Sequence, residues 1–509
     1  MMAASANHSG VAISQLLDGL VLGSNLPERR VSGITANSRA VKPGDLFIAQ
    51  AGLTRHAIDF AGDALEAGAA AVLFDPDDEY SVKRVALLRK QHASALWIAV
   101  PQLQARTGHI ASRFYDHPSR AMQLVGVTGT DGKTSVTHLL VQALTRLQCP
   151  VASIGTLGYG MANNLQMTGY TTPDAIAVQS MLAEFRRAGC QYVIMEVSSH
   201  ALHQYRVAGC EFDVAVLTNL GSDHLDFHGS LEAYAEAKAR LFSFDSLRSR
   251  VINFDDAFGR ELAVSTGSGN LAGFSARQPR SDDASVQLID HSMSDSGLRM
   301  LVATPSARLD IQTDLIGRFN IDNCLACVGV LIELGFAADD IERAMQHLRP
   351  IPGRMEYFSP VPGLPAVVID FAHTEQALKA CLEALGDYSR GELYCIFGCG
   401  GDRDQSKRPR MAAVAEKLAD HVFVTDDNPR HESPQQIMRD ILSGFAEPQA
   451  VRVIHDRETA IRSAMSQATS DDLVVIAGKG HEPYQIIGDE HRVYSDHRVV
   501  RDIRAGVSS

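Results

Sequence analysis

The feature that most constrains this chain is the apolar run Met122-Gln-Leu-Val-Gly-Val-Thr128, which passes without a break into Gly129-Thr-Asp-Gly-Lys-Thr134. Strand-type residues lead into a glycine loop, and the periodic segment Ser135–Leu147 reads as a helix directly after it. A strand that turns through glycines into a helix N-terminus aims successive backbone N–H groups at an anion. Gly129 and Gly132 permit the turn, Lys133 neutralises β- and γ-phosphate charge, and the Thr134 hydroxyl reaches a magnesium ion. The predicted ligand is ATP, held by Gly126, Val127, Thr128, Gly129, Thr130, Asp131, Gly132, Lys133 and Thr134. The general phosphate-loop pattern wants glycine at Val127; its absence leaves the narrower form G-x-x-G-T-x-G-K-T.

The pattern around the loop sets the fold class. Strand-like runs recur at Tyr192–Val197, Val214–Thr218 and Arg250–Asn253, and helical stretches at 175–188 and 231–242 separate them. Strand and helix in alternation predict a mostly parallel sheet covered on both faces. Ahead of the loop, residues 44–50 and Ala69–Phe74 read as strands and Asp59–Gly68 as a helix. Beyond the Pro-rich run Arg349-Pro-Ile-Pro-Gly-Arg354, which reads as a hinge, the alternation restarts at Ala366–Asp370, Leu393–Phe397, His421–Thr425 and Leu473–Gly478. That predicts a second, smaller doubly wound sheet. A chain of 509 residues is too long for one core. The reading is α/β in three domains: an N-terminal α/β domain at 1–102, a central P-loop ATPase-like domain at 103–350, and a C-terminal Rossmann-like domain at 351–509.

A formal charge of −13 argues against a nucleic-acid partner, and an anionic ligand must rely on local Arg and Lys residues and helix N-termini. Eight cysteines in so long a chain make no disulfide framework. Cys324 and Cys327 form a C-x-x-C, but in an apolar stretch and with no second C-x-x-C to complete a zinc site, so helix core is expected. There is no basic-then-apolar leader and no run of about 18 apolar residues, so a cytoplasmic protein without membrane insertion is expected.

Further runs follow the loop in order: Met195-Glu-Val-Ser-Ser-His200, Thr218-Asn-Leu-Gly-Ser-Asp-His-Leu-Asp-Phe-His-Gly229 and Tyr234-Ala-Glu-Ala-Lys-Ala-Arg-Leu-Phe242. Gly317-Arg-Phe-Asn320, Gly353-Arg-Met-Glu356, Asp370-Phe-Ala-His-Thr374 and Asp427-Asn-Pro-Arg430 complete the series. Over nearly the whole chain this resembles the Mur ligases, a family that includes the folylpolyglutamate synthase relatives, and most of all its diaminopimelate-adding branch. The resemblance implies ATP-dependent amide ligation through an acyl phosphate in peptidoglycan precursor synthesis, by a monomer acting on small molecules.

It also assigns roles. Glu196, at a strand's C-terminal end where such sheets bind ligands, pairs with Thr134 on the ATP-bound magnesium. His224 and a carbamylated Lys238 (N6-carboxylysine) hold a second ion, so Lys133, Glu196, His224 and Lys238 form the catalytic set. From the residues alone, Glu196 also reads as a solvated strand-end carboxylate and Lys238 as a surface lysine on an amphipathic helix. Carbamylation needs a neutral amine, which burial favours. Asn320, Arg354, Asp370 and His373 resemble nucleotide-side residues, although Phe371 and Glu375 stand where the family often has Tyr and Pro. The UDP end is assigned to Ala36, Ser38, Leu53, Thr54 and Arg55, and the muramoyl-peptide end to Thr171, Thr172, Ser198, Gln204 and Arg206. Tyr170 replaces a common asparagine before the threonine pair.

Diaminopimelate differs from lysine by a carboxylate beside its distal amine, so selecting it calls for arginines left unpaired by lysine. Arg430 and Arg403 suit that role. Asp427, Asn428 and Glu482 are placed to receive the distal ammonium, with Pro429 shaping the turn and Gly478 lending backbone groups. A lysine-adding or folate-extending ligase of the same family is the nearest alternative. A nucleotide switch would need Asn-Lys-x-Asp, which is absent from the expected place, and a kinase would leave the C-terminal domain without a task.

Overall fold

The structure, a computed structural model, describes the chain except residues 1–9, 22–25, 53–54, 163, 167–168, 222, 266–269, 278–283, 295–296, 352, 387–388 and 508–509. The chain divides into two compact units. One comprises 1–288, 302–309 and 322–344, and the other 289–301, 310–321 and 345–509.

The first unit opens with a four-stranded parallel sheet, ordered Gly33–Thr35, Asp45–Ala49, Ala71–Phe74, Trp97–Ala99. Every residue of Asp45–Ala49 and Ala71–Phe74 is buried, which is why both read as continuous rather than alternating apolar runs. The helix expected over 59–68 is shorter: a 3-10 turn Ala57–Phe60 leads into Ala61–Glu66. The His56 ring nitrogen caps that turn by accepting from Ile58 N at 3.1 Å.

The same unit holds a larger sheet whose parallel core runs Val151–Gly155, Tyr192–Glu196, Gln123–Thr128, Val214–Leu217, Ser249–Asn253, Asn270–Ser275. Gln123–Thr128 is first in the chain but central in the sheet. Its neighbours end level with it, Glu196 opposite Val127 and Leu217 opposite Thr128. The order therefore reverses at the strand that enters the glycine loop, where an open α/β sheet presents a crevice. The helix after the loop spans Lys133–Arg146, two residues earlier than its periodicity implied, with Gly132 as N-cap at φ 82°. Cys324 and Cys327 are fully buried on the helix Phe319–Glu333, as expected of helix core.

In the second unit, Ala366–Asp370, Leu473–Ala477, Leu393–Phe397, His421–Val424 and Arg452–Val453 lie parallel in that order, with Glu356–Phe358 antiparallel at one edge. Within this sheet the strand latest in the chain, Leu473–Ala477, is inserted between the two earliest parallel ones. Its C-terminal end thus sits beside Asp370, whose register partner is Ala477. The hairpin Tyr484–Ile487 and Glu490–Val493 follows directly.

Candidate active site

The glycine loop is closed by its neighbours. Gly129 has φ 149°, and a Cβ there would fall 1.8 Å from Thr218 Oγ1, so no larger residue fits. Thr218 donates to Asp131 O at 2.5 Å, and Asp131 N donates to Asn219 Oδ1 at 2.9 Å. Lys133 Nζ donates to the carbonyls of Gly129 and Thr130, at 2.9 and 2.7 Å, which centres its ammonium over the loop.

Glu196 is buried rather than solvated. Its Oε2 accepts from Thr134 Oγ1 at 2.8 Å and Thr156 Oγ1 at 3.0 Å, and its Oε1 accepts from Thr156 N at 2.9 Å. Around it the structure gathers three of the residues assigned to the muramoyl-peptide end. Thr171 Oγ1 lies 3.1 Å from Thr156 Oγ1, Thr172 Oγ1 donates to Glu196 O at 2.8 Å, and Ser198 N donates to Thr172 Oγ1 at 3.2 Å. Arg206 donates to Thr172 O at 2.9 Å and to Gln204 Oε1 through both Nε and Nη2. Thr156 carried no role in the sequence reading. A hydroxyl residue just past the strand Val151–Gly155 is the signal that marks it.

Lys238 is not on a surface; it is 1% exposed. Its Nζ donates to Gly129 O at 2.7 Å, the same carbonyl that Lys133 uses, and lies 4.2 Å from the centre of the Tyr234 ring. Burial first, and the Lys133 ammonium second, pull its pKa from 10.5 down to about 6. Tyr234 joins the pieces: its hydroxyl lies 3.1 Å from Thr130 Oγ1 and its ring centre 6.5 Å from that of His224. His224 is half-exposed, in the left-handed region at φ 53°, and 3.2 Å from Asp223. Its ring lies 4.7 Å from that of His200. Among the described residues no three His, Cys, Asp or Glu side chains are grouped to hold a metal ion. The adjoining Thr134 and Glu196 oxygens nonetheless suit a hard cation.

In the N-terminal sheet, Ala36 and Ser38 follow the strand ending at Thr35, and Arg55 follows its parallel neighbour ending at Ala49. The assigned residues therefore share the C-terminal edge of that sheet; Leu53 and Thr54 lie outside the described residues.

In the second unit, Asp370 Oδ1 and Oδ2 accept from Ala372 N and Met355 N, and burial raises its pKa against the Arg354 charge. Arg354 stacks on Phe371, 5.1 Å from the ring centre, and His373 Nδ1 lies 2.9 Å from Phe371 O. Asn320 Nδ2 donates to Ile316 O at 2.7 Å.

The two assigned arginines meet over one glycine. A Cβ on Gly400 would stand 2.8 Å from Arg430 Nη1 and 3.7 Å from Arg403 Cγ. Arg430 takes a left-handed φ of 51°, fixed because its N–H donates to Ile486 O and its carbonyl accepts from Gly488 N. Its Nη1 donates to Gly401 O at 2.9 Å. Fully buried Arg408, absent from the sequence reading, clamps both loops: Nη1 and Nη2 pair with Glu432 at 2.6 and 2.7 Å, and Nη2 reaches Gly400 O at 3.2 Å. Lys479 was also missed. Its Nζ lies among Asp427, Asn428 and Glu482, the residues expected to receive an ammonium.

Comparison with known proteins covers the same ground. Family profiles match at residues 30–115 (Mur ligase family, catalytic domain), 127–331 (Mur ligase middle domain) and 353–480 (Mur ligase, glutamate ligase domain). A UDP-N-acetylmuramoyl-L-alanyl-D-glutamate–2,6-diaminopimelate ligase from Xanthomonas campestris pv. campestris (strain 8004) is 46% identical over 96% of both chains. One from Ectopseudomonas mendocina (strain ymp) is 47% identical over 91% of this chain and 93% of its own. A solved structure of an enzyme of that name superposes with TM-score 0.71 at 32% identity, covering 98% of this chain and all of that one. MurF from Acinetobacter baumannii, at 16% identity, TM-score 0.64 and 97% and 99% coverage, shares the fold.

Proposed function

The chain belongs to the Mur ligase family, and from that premise we propose that it joins meso-diaminopimelate to UDP-N-acetylmuramoyl-L-alanyl-D-glutamate. ATP drives the reaction, ADP and phosphate leave, and the product is a peptidoglycan precursor. A carboxylate resists attack by an amine because its carbonyl is a poor electrophile and oxide a poor leaving group. Transfer of the γ-phosphoryl group gives an acyl phosphate, which an unprotonated amine attacks; phosphate then departs from the tetrahedral intermediate. Two anions must first be brought together, so charge neutralisation and positioning carry the catalysis.

The residues divide that work. The loop Gly126–Thr134 holds the ATP phosphates, and Lys133 offsets their charge. Thr134 and Glu196 bind magnesium, which supplies Lewis-acid neutralisation of phosphate oxygens when present. Lys238 and His224 serve a second ion once Lys238 is carbamylated. Carbamylation also sets an anion beside the Lys133 ammonium at Gly129 O, in place of an uncharged amine. Thr171, Thr172, Ser198, Gln204 and Arg206 position the muramoyl-peptide end, with Ala36, Ser38, Leu53, Thr54 and Arg55 at the UDP end. Asn320, Arg354, Asp370 and His373 serve the nucleotide. Arg403 and Arg430 clamp the distal carboxylate, while Asp427, Asn428, Pro429, Gly478 and Glu482 form the rest of the amine-substrate pocket. Residues 1–102, 103–350 and 351–509 form the three domains of this division, in a cytoplasmic monomer.

The observation that carries the choice of amine is Arg430, held at a left-handed φ of 51° with Nη1 over Gly400, the same glycine that Arg403 Cγ approaches. A lysine-adding enzyme has no use for that pair. Mass spectrometry of the product, with diaminopimelate and lysine supplied together, tests it. The diaminopimelate adduct should be dominant, and equal yields would overturn the choice.

A further inference from the structure

The strand Leu473–Ala477 ends in Gly478-Lys479-Gly480, and the backbone there is tightly set. Gly478 has φ 113° and Gly480 φ 52°, and a Cβ on Gly480 would fall 2.5 Å from Gly353 O. This fixes Lys479, whose side chain is wholly buried. Its Nζ donates to Asn428 Oδ1 at 2.9 Å and lies 3.1 Å from Glu482 Oε2 and 3.3 Å from Asp427 Oδ1.

The network leaves little to chance. Asn428 Oδ1 also accepts from Ile486 N at 3.0 Å, and Asn428 Nδ2 donates to Glu482 Oε2 at 2.8 Å. The amide is therefore occupied by protein groups on both sides. What remains without a hydrogen-bond donor among the described residues is Asp427 Oδ2 and Glu482 Oε1. Two carboxylates and one ammonium leave a single net negative charge. Without Lys479 the Asp427 and Glu482 carboxylates, 9% and 20% exposed, would repel each other with no cation between them.

We propose that Lys479 is a positioning residue that determines how the amine substrate binds. It neutralises one carboxylate and turns the free oxygens of Asp427 and Glu482 toward one incoming ammonium. This rests on the reading that the second unit takes diaminopimelate, which the wild-type enzyme tests separately in the same assay.

The test compares steady-state kinetics of wild type, Lys479→Met and Lys479→Ala. Both variants should raise the KM for diaminopimelate about tenfold or more while the KM for ATP and kcat stay within about twofold. n-Propylammonium, which replaces the missing end of the lysine, should restore the KM of Lys479→Ala, and n-propanol of similar size should not. A merely structural lysine would instead lower kcat and raise every KM together, or be rescued equally by both additives; either result overturns the proposal. So does an unchanged KM for diaminopimelate in a wild-type background that turns it over. Failure of the wild type to use diaminopimelate contradicts the functional reading itself. Should Lys479→Met not fold, Lys479→Gln, which retains a donor without the charge, is expected to show the same selective rise in KM.

Discussion

Lys238 offers a quantitative test of how the site is prepared. An ordinary lysine, with pKa 10.5, is about 0.1% neutral at pH 7.5, whereas one at about 6 is almost wholly neutral. The burial beside Lys133 thus raises the reactive amine about 1000-fold, which makes carbamylation by dissolved CO₂ practicable. A protein incubated with ¹³C-bicarbonate at pH 7.5 should show one carbamate resonance of near-unit stoichiometry, lost in Lys238→Met. The same shift has a sign in stability. Because the folded-state pKa lies below the unfolded one, the unfolded chain holds the extra proton between about pH 6 and 10.5. In CO₂-free buffer this group's contribution therefore becomes more favourable as pH rises through that window, by about 1.4 kcal/mol per unit. Buried cysteine thiols act oppositely at the alkaline end, so the wild type must be read against Lys238→Met. That difference should rise by roughly 2–3 kcal/mol between pH 6.5 and 8.5. A flat difference, together with no carbamate signal, would refute the reasoning.

Three further outcomes follow from the geometry. Gly129→Ala drives a methyl into Thr218 Oγ1 and displaces the phosphate loop, so initial-rate assays should find turnover down about 100-fold or more, and near-normal turnover would contradict the packing. Arg430→Ala removes hydrogen bonds to a charged group, worth about 1.5–3 kcal/mol. Its kcat/KM for diaminopimelate should fall about tenfold to 100-fold with the KM for ATP little changed. Asp496→Ala strands the buried Arg457, which Asp496 now pairs at 2.8 Å through both oxygens. Denaturant titration should show about 3–5 kcal/mol lost from the second unit, and an unmoved transition would rule that pair out as an anchor.

What the sequence revealed follows from how local each feature is. The phosphate loop was legible because strand, glycines and helix are contiguous, and the completely buried strands were legible as apolar runs. Thr156 and Lys479 were not, because their partners are distant in the chain: Lys479 meets Asp427 only after the last strand inserts between earlier ones. Asp427, Asn428 and Glu482 read as an ammonium receptor, but the internal ammonium among them is visible only in three dimensions. Lys238 reads as a surface lysine from helix periodicity, while the family resemblance implies a carbamylated one. Its 1% exposure corrects the surface reading. Arg408 illustrates the same limit, since nothing around it in sequence marks a residue that clamps two loops.

Phosphate release from ATP in the presence of UDP-N-acetylmuramoyl-L-alanyl-D-glutamate is the most direct test of amide ligation. With that acceptor alone release should be slight. Adding diaminopimelate should raise it manyfold, with one phosphate freed for each amide bond formed. Release at the same rate with or without the amino acid would show an ATPase or a kinase and contradict the account.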